Sequence, residues 1–159
     1  MMRFSLARFF SGCTLLAASV AAANADSGGN SVPLNQKYKQ ECAACHTPYP
    51  PGMLPAASWK RIMGSLEKHY GTDASVDEAT LRDLGVWLGA NAGTYKRVQE
   101  DPPEDRITRS AWFLREHNAR EVPPDTWKRA SVGSPSNCVA CHTQAAQGSF
   151  RERDIRIPK

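Results

Sequence analysis

The sequence lacks an apolar run long enough to cross a membrane. Its longest, Phe9 to Ala23, has 15 residues, and a spanning helix needs about 20. It also lacks a strong excess of one charge, since a net charge of +4 is too small to indicate nucleic-acid binding. No stretch alternates apolar and polar residues as a half-buried strand would. These absences favour a helical, loop-rich protein without a membrane span in its mature part.

The first 25 residues have the pattern of an export signal. Arg3 and Arg8 give a positive start, the apolar run follows, and Ala23-Asn24-Ala25 offers a small-x-small cleavage site. An uncleaved membrane anchor is the alternative, and the short run argues against it. Cys13 faintly suggests a lipoprotein cleavage site, but the apolar region lies on its wrong side. We therefore predict that residues 1–25 are a cleaved signal peptide of an exported, soluble protein.

The predicted mature chain has only four cysteines, and they form two copies of one motif. Each copy has the spacing C-x-x-C followed at once by histidine, which is typical of c-type haem attachment. Two thiols one helical turn apart can reach the two vinyl groups of one haem, and the next residue projects an imidazole towards the iron. We therefore predict two covalently attached haem c groups. The residues that would hold them are Cys42, Cys45, His46, Cys138, Cys141 and His142.

Three other kinds of site use paired cysteines. A dithiol redox site would explain the C-x-x-C spacing but not the histidine that follows both pairs. A zinc site could use two such pairs, yet about ninety residues separate them. Two structural disulfides suit an oxidising compartment, although so short a loop is a poor long-range staple. The repeated histidine favours haem.

The two remaining histidines match the positions that two haems would leave open. Each haem iron has two axial positions, and the sequence has four histidines in all. His69 lies three residues after Leu66, and His117 lies four residues after Phe113, so both fall on apolar helical faces. We therefore expect two histidine ligands at both irons, with His69 and His117 opposite the motif histidines.

Two methionines are the rival ligands. Met53 is too close to His46 in sequence to reach the other haem face, so Met63 is the more serious rival. The distal histidines lie on either side of Pro102-Pro103, which indicates that each belongs to the nearer motif. The expected ligand pairs are His46 with His69 and His142 with His117.

Hydrophobic spacing predicts helices on both sides of an acidic, proline-broken run at 99–105. The predicted helical segments are Leu34 to Cys45, Ser58 to Tyr70 with Ser58 as cap, Glu78 to about Ala90 with a Ser75-x-x-Glu78 capping box, Ile107 to His117, and a short segment at Trp127. The expected fold class is therefore all-α and loop-rich. The run at 99–105 predicts two modules, at residues 26–100 and 101–159.

These motifs together resemble the DHC-type dihaem cytochrome c family. The matching segments are Leu54–Met63, His69–Gly71, Asn137–His142 and Ile155–Pro158. The resemblance implies a periplasmic electron carrier with two small c-type haem modules, the first similar to a reduced class I cytochrome c, and with His69 and His117 as distal ligands. Family members often accompany a membrane b-type cytochrome and sometimes a small oxygen-binding haem protein. Tyr70, where phenylalanine is expected, is a minor departure.

Two histidines at each iron would leave no position for a substrate, which favours an electron carrier without an active site. A dihaem peroxidase-like enzyme is one alternative, and it needs an iron with a position that can open. A permanent electron-transfer subunit of an oxidoreductase complex is another. The charges are unevenly spread, since residues 26–105 have a balance of −3 and residues 106–159 a balance of +5. One interpretation of this contrast is ordinary solubilising charge. The other is that the second module meets an acidic redox partner while the first meets a neutral or basic one.

Overall fold

The computed structural model describes residues 32–159, so the predicted signal peptide and Cys13 lie outside the described residues. Within this range the chain forms four α-helices and nine 3-10 helices. The α-helices are α1 (Gln36–Cys42), α2 (Ala56–Met63), α3 (Glu78–Ala90) and α4 (Ala111–Glu116). The 3-10 helices are Pro51–Met53, Leu66–Lys68, Lys96–Val98, Pro103–Asp105, Ile107–Arg109, Pro124–Lys128, Cys138–Ala140, Ala145–Gln147 and Glu152–Asp154. The predicted all-α, loop-rich class is confirmed. No helix in 32–159 has the length and hydropathy needed to span a bilayer.

Helix α1 begins after Asn35, whose side chain accepts hydrogen bonds from the backbone N–H groups of Lys37 and Tyr38. It ends at Cys42, three residues earlier than predicted. Cys42 is the last helical residue, and a turn at residues 43–45 then carries Cys45 and leads to His46. The first haem motif therefore sits at the carboxyl end of α1.

Helix α2 begins after Pro55, so the prediction that Ser58 caps it is wrong. Ser58 lies in the first turn and is fully buried. The helix ends at Met63, and the predicted continuation to Tyr70 is wrong as well. The hydroxyl of Ser65 donates to the Arg61 carbonyl at 2.9 Å and competes with the helical ladder. A separate 3-10 turn, Leu66–Lys68, then leads to His69.

Helix α3 is capped by Asp77 and not by the predicted Ser75 capping box. The Asp77 carboxylate accepts hydrogen bonds of 3.0 Å from the N–H groups of Ala79 and Thr80. The N–H of Ser75 is instead bound to Asp73. An aspartate directly before the helix therefore displaced the more distant serine as cap.

The first module has a core at the meeting point of α1, α2 and α3. Its buried members are Tyr38, Leu54, Trp59, Leu84 and Leu88. The Trp59 indole donates to the Pro51 carbonyl at 2.7 Å, which satisfies its only polar atom. The Tyr38 ring packs against Trp87 with 5.2 Å between centroids. This core fixes the loop that follows the first haem motif, because Pro51 and Leu54 belong to that loop.

The second module has little regular structure. Helix α4 is six residues long, is capped by the Ser110 hydroxyl and ends immediately before His117. The predicted helix Ile107 to His117 is shorter than expected because the Ser110 backbone is extended. The buried hydrophobic residues of the module are Phe113, Val122, Val132 and Ala145. Short 3-10 turns and loops carry the second haem motif.

The acidic run predicted as a boundary packs against the first module. The Arg61 guanidinium contacts the carboxylates of Asp101 at 2.8 Å and Asp105 at 2.6 Å. The Tyr70 hydroxyl lies 3.1 Å from the carbonyls of Glu104 and Asp105. Both of those acidic residues have left-handed backbone angles, φ 57° and 55°, which are uncommon outside glycine. The division at residue 100 stays a prediction, but the run is not a free linker.

Asp105 tests the strength of this attachment. The Arg61 guanidinium holds the pKa of Asp105 below its ordinary value. Because the pKa of Asp105 is lower in the folded than in the unfolded protein, its ionised form stabilises the fold at pH values above the unfolded pKa. This stabilisation is lost as the pH falls through the folded pKa and the carboxylate is protonated. We expect Asp105→Asn to cost about 1 kcal/mol at pH 7. The difference from wild type should shrink towards pH 3, as measured by urea unfolding of the holoprotein.

The matched control is Asp125→Asn, since the pair of Asp125 with Lys128 is 3.4 Å long and almost fully exposed. It should change stability little at either pH. An equal cost of Asp105→Asn at pH 7 and pH 3 would show that its contribution is not ionic.

Candidate haem sites

The first site brings together the two histidines predicted for it. His46 follows α1, and His69 follows the 3-10 turn after α2, in a tight turn where Tyr70 and Gly71 have positive φ. Their ring centroids lie 6.1 Å apart with 24° between the planes. Cys42 is half-buried and Cys45 is exposed beside them in sequence.

The second site has the same arrangement. His117 at the end of α4 and His142 of the second motif have ring centroids 6.0 Å apart, with 59° between the planes. Two imidazoles bound on opposite sides of one metal have centroids about 6 Å apart, since each metal–nitrogen bond is about 2 Å. Both pairs therefore fit an iron held between two histidines.

In two of these rings, a hydrogen bond at Nδ1 fixes which nitrogen carries the proton. The Nδ1 atom of His46 lies 2.7 Å from the Thr47 carbonyl, and that of His117 lies 3.1 Å from the Phe113 carbonyl. A carbonyl only accepts, so each Nδ1 carries the proton and donates it. The Nε2 lone pair is then free to bind a metal.

The other two rings lie where the neutral form is favoured. Burial lowers the pKa of His69, and His46 and Arg106 lower it further. Burial and His117 likewise lower the pKa of His142. The Nδ1 atom of His142 is buried without a hydrogen-bond partner among residues 32–159.

Aromatic rings hold all four imidazoles in place. The Phe113 ring lies parallel to His117 with 4.0 Å between centroids, and Phe150 lies 5.1 Å from His142. Tyr49 is stacked on His46 at 4.9 Å, and the Tyr70 ring meets His69 edge-on at the same distance. Tyr49 and Phe150 could not be predicted from sequence, since neither shares a helix with its histidine.

The cysteines do not have the properties of a dithiol redox site. Burial raises the pKa of Cys42 and of Cys138 to about 11, whereas reactive dithiols have lowered values. None of the four forms a disulfide within residues 32–159, so the disulfide alternative is not supported. Within the described range, no group of three or more His, Cys, Asp or Glu side chains could hold a metal ion, so the zinc alternative finds no support either. A neutral thioether, which haem attachment produces, suits the half-buried positions of Cys42 and Cys138.

The rival ligand Met63 packs against the core of the first module. The ring that faces His46 belongs to His69. The expected ligand set stays a prediction, with the four imidazoles in two facing pairs.

Comparison with known proteins agrees with this geometry. The family model described as dihaem cytochrome c matches residues 38–150. The chain belongs to the dihaem cytochrome c family. The predicted resemblance is confirmed, and membership implies two covalently attached haem c groups at the two cysteine motifs. These groups supply one-electron iron chemistry.

Solved structures give the same result. The chain is 34% identical to a dihaem cytochrome c from Shewanella baltica OS155, with a TM-score of 0.67, covering 80% of this chain and 95% of that one. It is 41% identical to DHC purified from Rhodobacter sphaeroides, with a TM-score of 0.63, covering 75% and 99%. No curated protein matches.

The second module should depend on its haem more than the first. Replacing Cys138 and Cys141 by serine removes the second attachment, and the four buried hydrophobic residues of that module are too few for a stable core. We expect residues 101–159 to lose most of their protection in amide hydrogen exchange. Near-ultraviolet circular dichroism should also weaken.

The paired control replaces Cys42 and Cys45 by serine, which leaves the larger core of the first module in place. Protein lacking both haems should show no cooperative unfolding. A native-like thermal transition in that apoprotein would refute the dependence on haem.

Proposed function

We propose that this dihaem cytochrome c carries electrons between redox proteins in the periplasm, through two haems that are each ligated by two histidines. The observation that supports it best is the pair of facing imidazoles, 6.1 Å apart at one site and 6.0 Å at the other. Export is supported by the signal pattern at residues 1–25 and by covalent attachment, which keeps a cofactor from dissociating outside the cell.

Ligation by two histidines determines what such a haem can do. Both axial positions are filled by the protein, so the iron changes its charge without binding a substrate. Histidine in place of methionine also lowers the reduction potential. The role of the chain is to orient four imidazoles, and the carbonyl partners of His46 and His117 leave the Nε2 atom of each ring available to a metal.

Removing a distal histidine tests the ligation and the pairing together. We expect His117→Ala to open the second iron alone and to create one haem per protein that binds carbon monoxide. His69→Ala should do the same at the first iron, unless Met63 substitutes as a weaker ligand. Electron paramagnetic resonance counts the remaining low-spin signals, and the optical spectrum reports carbon monoxide binding.

Wild-type protein is the control, and it should neither bind carbon monoxide nor react with peroxide. A wild-type iron that reacts with peroxide would favour the peroxidase-like alternative. Stable co-purification with a larger protein would favour a permanent subunit of a complex. If His117→Ala perturbs the first haem instead, the proposed pairing is wrong.

The second module is proposed to meet an acidic partner. Residues 106–159 have a balance of +5, and Arg151, Arg153 and Arg156 are exposed. Their segment lies against the second haem motif, since the N–H of Arg156 donates to the Cys141 carbonyl at 2.8 Å. A partner attracted to this segment would approach close to the second haem.

Charge reversal tests this docking surface. Changing the three arginines to glutamate should slow second-order electron exchange with an acidic redox protein by roughly tenfold or more at low salt. The effect should fade as ionic strength rises. The control reverses three exposed cations of the first module, Lys39, Arg82 and Lys96. If both triple variants changed the rate equally, or neither changed it, the arginine segment would not be the docking surface.

A further inference from the structure

Tyr49 contacts parts of both haem sites. Its ring is stacked on His46, with 4.9 Å between centroids and 17° between the planes. Its hydroxyl donates to the backbone carbonyl of Ser136 at 3.1 Å. Ser136 lies two residues before Cys138, the first cysteine of the second motif. One side chain thus joins a ligand of the first haem to the attachment segment of the second.

The backbone of Tyr49 is itself held by the core of the first module. The Tyr38 hydroxyl donates to the Tyr49 carbonyl at 3.0 Å, and Tyr38 is 3% exposed. The Tyr49 side chain therefore extends from a fixed point. Its position is set by the packing of α1 and not by the second module.

The ion pairs of Arg61 and the hydrogen bonds of Tyr70 reach a different part of the second module. The Arg61 ion pairs and the Tyr70 hydroxyl hold residues 101–105, more than thirty residues before the second motif. They attach the boundary run to the first module but do not touch residues next to Cys138. The Tyr49 hydrogen bond acts at the haem attachment segment itself.

We propose that Tyr49 is a positioning residue that fixes the second haem's attachment segment relative to His46, and thereby sets the coupling between the two haems. The inference rests on the proposed ligation of the first iron by His46. Interactions between two redox centres weaken with separation, so a tether at the attachment segment controls their strength. Tyr49 need not carry electrons to have this effect.

The decisive variant is Tyr49→Phe in the holoprotein, because it keeps the stacked ring and removes only the hydroxyl. We expect both low-spin haem signals to persist while the spin–spin interaction between the haems weakens. Electron exchange between the two haems should slow several-fold. Pulsed electron paramagnetic resonance measures the first quantity, and flash-induced reduction kinetics measure the second.

Tyr95→Phe is the matched control. The Tyr95 hydroxyl also donates to a backbone carbonyl, that of Gly52 at 2.9 Å, but both residues belong to the first module. It should leave the coupling at the wild-type value. A second variant, Tyr49→Leu, removes the ring as well and should further shift the signal of the first haem, because His46 loses its stacking partner.

The outcomes separate this inference from the proposed function. Wild-type protein without two bis-histidine signals would contradict the ligation. Intact ligation with wild-type coupling in both Tyr49→Phe and Tyr49→Leu would overturn the positioning role alone. If the interaction between the haems weakened equally in Tyr49→Phe and Tyr95→Phe, the positioning role would also be overturned. The loss of any tyrosine hydroxyl would then be enough to weaken the coupling.

Discussion

The rest of this structure depends on an arrangement in which two imidazole rings face each other with about 6 Å between their centroids. It joins His46 to His69 and His117 to His142, pairs with 22 and 24 residues between their members. Closing loops of that length costs conformational entropy. The first loop contains four prolines and the second three, and with short 3-10 turns they bring the second histidine round to face the first.

The two modules depend on this arrangement to different degrees. The first has five buried residues shared among three α-helices, so its loop after the haem motif is held by protein contacts. The second has one α-helix of six residues, and its motif histidine has a buried nitrogen without a protein partner in the described range. The second pair of histidines is therefore held by fewer protein contacts than the first.

The features of the fold that depend on residues close together in the chain were predictable from sequence. The haem motifs and the buried stripe of α3 follow from spacing alone, whereas the helix expected to carry His69 ends at Met63. Helix starts were harder, because several capping residues compete within a few positions, and Asp77 prevailed over Ser75. Tyr49 could not be found this way, since its partner Ser136 lies 87 residues away and neither residue has a local pattern.

The acidic run shows how composition alone can mislead about a segment's role. Proline and like charges are typical of a linker, yet here Arg61 neutralises two of the carboxylates and Tyr70 binds two of the carbonyls. The left-handed residues in the run are tolerated because these contacts hold them from the first module. A segment held in this way limits how far the modules can separate.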